Sequence, residues 1–335
     1  MKKIIAILLV AVMALSMAAC TGGGESAGDV TYAIVCKDAS NPYMLKMIEG
    51  FQKSCDAIGV KMITKSPESA TVDGQIQIVN ELIAQGVKGI AIAANDAAAL
   101  ENVISEAKKA GIVVVTLDSD TKGSEMFVNQ AGVAQVAQVL VDSCYDMAGG
   151  EGEFAILSAS STATNQNAWI AAMKEILKDE KYSKLTLVET VYGDDEPQKS
   201  TDEMQNLMTK YPNLKVVCCP TTVGILAAAK VVANDPSCTI KVAGLGLPSE
   251  MKDYVGEGKA CPYMYLWNPI EVGECAVYMI KAIADGKVGE IGTSFVADNG
   301  QTYEISAGDP AAKQIIVGPP FAFTGENIAD WAGVY

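Results

Sequence analysis

Histidine is absent from all 335 residues. That one absence removes Ser-His-Asp triads, Cys-His dyads and every imidazole metal site. Phosphate cradles are missing too: no GxGxxG follows a strand pattern, and no P-loop occurs. Basic residues are few, 25 against 40 acids, for a net charge of −15. Such a body is repelled by phosphate backbones and anionic lipid surfaces, which argues against nucleic acid as a partner. No CxxC occurs, and the cysteines at 36, 55, 144, 218, 219, 238, 261 and 275 form no tight framework. Several lie inside apolar patterns and read as small buried hydrophobes. The vicinal pair Cys218-Cys219 lacks further ligands, so neither a metal nor a cofactor is expected.

A membrane-spanning apolar run is also lacking. The longest, Ile4 to Leu15, follows Lys2 and Lys3 and ends in MAAC (Met17 to Cys20). It is too short for a bilayer span and has the layout of a secretory signal. The expected division is therefore a signal over residues 1–19 and a flexible tether over 20–29, TGGGESAG being its body. The remainder exceeds what a single hydrophobic core usually serves, so two domains are expected.

From Val30 the pattern alternates. Strands are expected at 30–36, 61–64, 88–94, 112–117, 153–158, 185–191, 214–219, 240–245 and 261–266. Helices are expected between them, among them 97–110, 163–177, 197–210, 222–233 and 269–283. Two stretches run in step: LIAQGVKGIAIAANDAAALENVISEA before GIVVVTLD, and LMTKYPNLKVVCCPTTVGILAAAKVVA before IKVAGLG. Both read helix, strand, small-residue loop, alanine-rich helix, strand. The fold class is α/β: two doubly wound parallel-sheet lobes built on one design.

In such sheets ligands bind beyond the carboxyl ends of the strands. The tips carry Lys37, Asn41, Pro42 and Tyr43, then Asn95 and Asp96, then Asp118. In the second half they carry Thr164, Asn165 and Gln166, then Pro220 and Thr222, then Gly246, with Trp267 and Asn268 last. This is a set of amides, hydroxyls, one amine, one carboxylate and aromatics, without a nucleophile–base pair. It suits a neutral polyhydroxylated molecule, whose hydroxyls both donate and accept and whose C–H face packs on aromatic rings. Each residue also has a local reading. Asp118 ends the buried run GIVVVTLDSD and either binds ligand or caps a turn, while Asp120 belongs to that turn. Asn95, Asp96 and Thr222 precede helices as N-caps. Trp169, inside a helix, reads as core. The acidic run GDDE (Gly193 to Glu196) lacks the alternation of a calcium loop and reads as a cap for the helix at Pro197.

Several ordered motifs carry a resemblance. NPYM (Asn41 to Met44) and VTLD (Val115 to Asp118) are similar to the ligand loops of ribose-type periplasmic binding proteins. ATNQNAW (Ala163 to Trp169), VYGDD (Val191 to Asp195), PTTVGILAAA (Pro220 to Ala229), GLGLPSEM (Gly244 to Met251) and LWNPIEVG (Leu266 to Gly273) resemble the rhamnose-binding proteins of ABC importers and their relatives, the autoinducer-2 receptors. Among the autoinducer-2 ligand positions, Lys37, Asp118, Gln166 and Pro220 match. Asn165 stands where that family has Asp, and Thr222 where it has Ala; both departures agree with the rhamnose type.

The resemblance implies a type I fold with hinges near Gln130, Trp267 and Gly292. Residues 30–129 plus 269–291 would form the first lobe, and 130–268 plus 292–335 the second. Cys20 directly after Ala18-Ala19 resembles the bacterial lipobox, in which that Cys is acylated, with ordinary secretion as the alternative, and the wider resemblance implies a monomeric, non-enzymatic lipoprotein. The lipoprotein would capture a small neutral sugar, rhamnose first and autoinducer-2 as the alternative, between the lobes for an ABC permease and its ATPase. The substrate contacts it implies are Lys37, Asn41, Tyr43, Asp118, Asn165, Gln166, Pro220, Thr222, Trp267 and Asn268. A transcriptional regulator of this fold would need a DNA-binding head in place of the signal. A glycoside hydrolase would need a second carboxylate facing Asp118. Capture feeding a chemosensor would use the same fold.

Overall fold

The computed structural model describes residues 30–308 and 311–335. The signal segment, Cys20 and the tether lie outside the described residues. Among the described residues, no helix is long and apolar enough to cross a membrane.

The first half opens with β1 (Thr31–Val35), α1 (Pro42–Ile58), β2 (Lys61–Lys65), α2 (Val72–Gln85) and β3 (Gly89–Ile92). It continues through α3 (Glu101–Lys109), β4 (Val113–Leu117) and β5 (Met126–Asn129). The second half runs α4 (Val133–Ala148), β6 (Gly152–Ser158), α5 (Thr164–Ile176), β7 (Leu185–Tyr192), α6 (Pro197–Lys210), β8 (Leu214–Cys219), α7 (Thr222–Asn234) and β9 (Lys241–Gly244). The short helix α8 (Pro248–Met251) then precedes β10 (Tyr263–Leu266), and α9 (Pro269–Ala284) follows. The tail adds β11 (Ser294–Val296), β12 (Thr302–Glu304), β13 (Ser306–Ala307), β14 (Lys313–Ile316), β15 (Phe321–Thr324) and α10 (Ile328–Trp331).

A seven-stranded sheet has the order β13-β14-β5-β4-β3-β1-β2 and a four-stranded one β7-β6-β8-β9, while β10-β15 and β11-β12 form two-stranded pairs. Strands β1 to β5 pair in parallel, as do β6 to β9. In the central strands β3 and β4 every residue but Val113 is buried, as expected where helices cover both faces of a parallel sheet. Local chemistry fixes the helix ends. Asn41 caps α1 by accepting from Tyr43 N, Pro42 presets the first turn, and Gly59 closes it in the left-handed region at φ 72°.

Helix α9 belongs with the first sheet, packing on α1 at backbone contact. A Cβ on Gly50 would sit 1.9 Å from the Ile270 carbonyl oxygen, and one on Gly273 would sit 1.9 Å from that of Met47. Only glycine permits that approach.

The tail departs from the expected division. Residues 292–335 were assigned together to the second lobe, yet β13 and β14 extend the first sheet beyond β5. The physical reason is an open edge: β14 pairs in parallel with β5 and buries Ile315 completely. Asp120 pins the same segment, its Oδ2 accepting from Ala311 N at 2.7 Å. The chain returns to the second lobe only at β15, antiparallel to β10. The third crossover therefore lies between Ile316 and Phe321, not at Gly292.

Outside the tail and the short helix α8, β5 and α4 had no counterpart in the sequence reading. Helix α3 begins at Glu101 rather than Ala97, because the Asp96 carboxylate accepts from Ala98 N and Ala99 N and holds a turn there. Of the eight described cysteines, all free, seven are buried and Cys238 is partly so. Burial pushes the thiols of Cys55, Cys261 and Cys275 up to about 12. They act as apolar filler rather than as nucleophiles.

Candidate functional site

The tips of β1 and β4 face those of β6, β7 and β8 across a cleft bridged by three crossovers. The first and third run side by side: Val317 N donates to Asn129 O at 2.8 Å, and Gly318 N to Gln130 O at 3.3 Å. Trp267 lies on the second. A cavity enclosing about 350 Å³ of empty space, part of it open to solvent, sits in this cleft.

Its floor is a three-residue junction. Lys37 Nζ lies 2.9 Å from Asp118 Oδ2, both side chains only 6% and 5% exposed. Asn165 reaches across from the second lobe, accepting from Lys37 Nζ at 3.2 Å and donating through Nδ2 to Asp118 Oδ2 at 3.2 Å. The two lobes thus touch through one ammonium, one carboxylate and one amide.

Backbone geometry explains why Asp118 can reach the cleft. It has φ 60°, in the left-handed region that Asp and Asn tolerate better than other side chains. The chain reverses there, with Ser119 N donating to Leu117 O. The reversal ends the strand's pairing and aims the carboxylate away from the sheet. Such strain at a non-glycine residue concentrates where function demands it.

Lys37 is positioned from behind. The fully buried Gln75 donates to Cys36 O at 3.1 Å and to Ala93 O at 2.7 Å, and accepts from Asn95 N at 2.9 Å. Asn95 Nδ2 donates to Lys37 O at 3.0 Å. Asn95 is therefore a brace between the tips of β1 and β3 rather than the helix cap its position suggested. Gln75 was missed entirely. It sits at one position of an amphipathic stripe, and only its complete burial reveals its task.

One wall is aromatic. Trp267 Nε1 donates to Tyr43 Oη at 2.6 Å, with the rings edge-on at 87°. Trp169 lies 5.6 Å from Trp267, centroid to centroid. Burial, and then the charge of Asp118, hold the Tyr43 phenol well above its ordinary value, so it stays protonated. Met44, Leu245 and Leu266 complete the apolar lining.

The opposite wall is polar: Gln166, Asp195, Pro220, Thr221 and Thr222. Gln166 Oε1 is buried without a hydrogen-bond partner, an acceptor aimed at nothing in the protein. Asp195 accepts from Thr221 Oγ1. Burial pushes its carboxyl up, opposed by the Thr221 hydroxyl and by Lys37. Sequence reasoning missed Asp195 as a lining residue, since an acid ahead of a helix has a ready capping role. It also assigned Trp169 to the core alone, whereas that ring is buried and lines the cavity.

Of the ten expected contact residues, nine line this cavity. Asn268 does not. It caps α9, with Oδ1 accepting from Ile270 N at 3.0 Å and Nδ2 donating to Glu271 at 3.2 Å. Asp120 turns back into the first lobe as expected, accepting from Thr116, Thr121 N and Ser124. Among the described residues, no group of three or more His, Cys, Asp or Glu side chains could hold a metal ion.

Comparison with known proteins agrees with this architecture. The chain is similar to the D-allose-binding periplasmic protein of Escherichia coli K12, 28% identical over 271 residues, covering 77% of this chain and 86% of that one. It is similar to the crystal structure of an ABC transporter solute binding protein from Clostridium phytofermentas with bound L-rhamnose. That pair is 49% identical with a TM-score of 0.88, covering 92% of this chain and 100% of the other. LsrB from Clostridium saccharobutylicum, in complex with AI-2, shares the fold at 21% identity and a TM-score of 0.83, covering 90% and 99%. The periplasmic binding protein domain model matches residues 32–288, spanning most of both lobes. With two parallel α/β sheets flanking one polar cleft, this chain belongs to the periplasmic binding protein family, of type I fold.

Proposed function

We propose that this protein is the extracytoplasmic solute-binding component of an ABC sugar importer, anchored through an acylated Cys20. It captures a small neutral sugar, rhamnose first, and delivers it to a permease. The observation that carries this reading is the junction of Lys37 and Asp118 from one lobe with Asn165 from the other. A ligand lying on all three is gripped by both lobes at once, so it favours the closed state by contacts that an open cleft lacks. Around the junction, carboxylate, amide and hydroxyl groups match sugar hydroxyls, while Trp169 and Trp267 offer faces for the C–H side of a ring.

Rhamnose is favoured over other hexoses by Met44, Leu245 and Leu266. A deoxy sugar carries a methyl group that suits apolar lining, and a hydroxyl set against these side chains would lose its hydrogen bonds to water. The 49% identical neighbour holds L-rhamnose, which supports the same ligand. Autoinducer-2 is the second reading, favoured by the four family positions that Lys37, Asp118, Gln166 and Pro220 match. Asn165 and Thr222 weigh against it. They replace a carboxylate by an amide and add a hydroxyl, changing which ligand hydroxyls find partners.

A thermal-shift panel with rhamnose, other hexoses, pentoses and autoinducer-2 tests the reading. At a hundredfold excess over Kd a ligand stabilises by about 2.7 kcal/mol. For a chain of this size that corresponds to roughly 4 °C in Tm. Rhamnose is expected to give the largest shift. A flat response to every neutral sugar overturns the proposal.

A further inference from the structure

The cleft contains two carboxylates against one ammonium, and only Asp118 is paired with Lys37. Asp195 enters from the second lobe on a short loop after β7. That loop is tied to the tip of β6, with Gly193 N donating to Ser158 O at 2.9 Å and Asp194 N to Ala159 O at 3.0 Å. Asp194 and Asp195 both have φ 54°. Two successive non-glycine residues in the left-handed region are an uncommon, strained arrangement. The distortion separates their side chains. Asp194 is exposed and pairs with Lys199 at the surface, while Asp195 is half-buried and lines the cavity. Thr221 Oγ1 fixes Asp195 Oδ1, and Oδ2 accepts no hydrogen bond among the described residues.

We propose that Asp195 is a ligand-binding and specificity-determining residue: its free carboxylate oxygen accepts a hydroxyl of the bound sugar and excludes anionic sugars such as uronates and sugar phosphates. This deepens the proposed function and rests on it. Three observations converge. The strained loop aims this carboxylate, and not its neighbour, at the cavity. Gln166 Oε1 on the same wall is a buried acceptor without a partner, so this side of the cleft calls for hydrogen-bond donors. The sequence contains no arginine, so no guanidinium is available to receive a carboxylate or phosphate in bidentate fashion. Lys37, the one cation lining the cavity, is already committed to Asp118. A ligand carrying its own negative charge would meet an excess of like charge.

The test is isothermal titration of the full chain and of Asp195→Asn, Asp195→Ala and Asp194→Asn. Titrants are rhamnose, deoxy analogues of rhamnose lacking one hydroxyl each, and galacturonate. In the Asp195 variants rhamnose affinity should fall at least tenfold, with Asp194→Asn within twofold of the parent. One deoxy analogue should bind the parent at least tenfold more weakly than rhamnose, yet bind Asp195→Ala no worse than rhamnose does. Galacturonate should fail to bind the parent and should gain relative to rhamnose in Asp195→Asn. Circular dichroism of the variants separates lost contacts from lost folding. If the parent binds rhamnose and Asp195→Asn binds it equally, this inference is overturned while the proposed function stands. If the parent binds no neutral sugar at all, the proposed function fails first.

Discussion

Removing the Asp118 carboxylate perturbs ligand binding and the empty protein in separable ways. In Asp118→Ala the Lys37 ammonium, 6% exposed at its side chain, keeps only the Asn165 carbonyl as a partner. Breaking a buried ion pair from one side costs about 3–5 kcal/mol. Alanine is also a poor occupant of φ 60°, adding about 1–2 kcal/mol. Tm of the unliganded protein should therefore fall by at least about 6 °C. Ligand affinity loses a hydrogen bond to a charged acceptor, worth about 1.5–3 kcal/mol, or roughly 10- to 150-fold in Kd. Asp118→Asn divides these contributions. It tolerates the left-handed backbone and still accepts from Lys37, but it carries no charge. Its loss of affinity should lie near the lower end of that range, with a smaller drop in Tm. Calorimetric titration with rhamnose and a melting curve for each variant supply both numbers. If Asp118→Ala binds rhamnose within twofold of the parent while remaining folded, the carboxylate merely turns the chain and the reasoning is refuted.

Asn165→Asp places a new carboxylate about where Nδ2 now donates to Asp118 Oδ2 at 3.2 Å. Like charges at such range repel by up to about 4 kcal/mol near a protein surface, with Lys37 offsetting part of it. Rhamnose affinity should drop at least tenfold while autoinducer-2 gains relative to it; unchanged preference in a thermal-shift comparison counts against Asn165 as a selector. Gly273→Ala drives a methyl to 1.9 Å from Met47 O and pushes α9 off α1. It should cost about 1–3 kcal/mol or more, seen as a Tm at least roughly 2 °C lower. Asp120 tests the tail. Burial raises its carboxyl above 3.8, so the folded protein holds that proton more tightly than the unfolded chain. Its contribution to stability is thus lost as pH rises through the folded pKa. In Asp120→Asn the slope of Tm against pH should become more positive just above pH 3.8; an unchanged slope would show that Asp120 is not titrating there.

The alternation of strands and helices was legible because parallel strands buried on both faces leave unbroken apolar runs, as in GIAI of β3 and VVVTL of β4. Elements defined by distant partners were not. Strand β14 exists because β5 offers it an edge, and the two lie far apart in sequence. Nothing local to KQII distinguishes joining the first sheet from joining the second. Helix α4 carries a readable stripe, Val136, Ala137, Leu140, Val141 and Cys144, but its N-cap is Gly132 with no side-chain bond to mark the start.

The site shows the same division more sharply. Asn, Thr and Asp are favoured just before helices because they satisfy free N–H groups there, and such positions in this fold lie at the cleft. Capping and ligand contact therefore draw on the same residues at the same places. Asn41 caps α1, accepting from Tyr43 N, and also lines the cavity. Asn268 caps α9 and lines nothing. Asp195 resembled a cap and faces the cavity instead. What separates these cases is backbone direction at one or two residues, as the left-handed turns at Asp118 and Asp195 demonstrate. Chain reversal turns the Asp118 carboxylate off its sheet, and at the Asp194-Asp195 turn one of two left-handed carboxylates faces the cavity while the other faces solvent. Asp120, where the backbone makes no such reversal, turns its carboxylate inward to hold the tail.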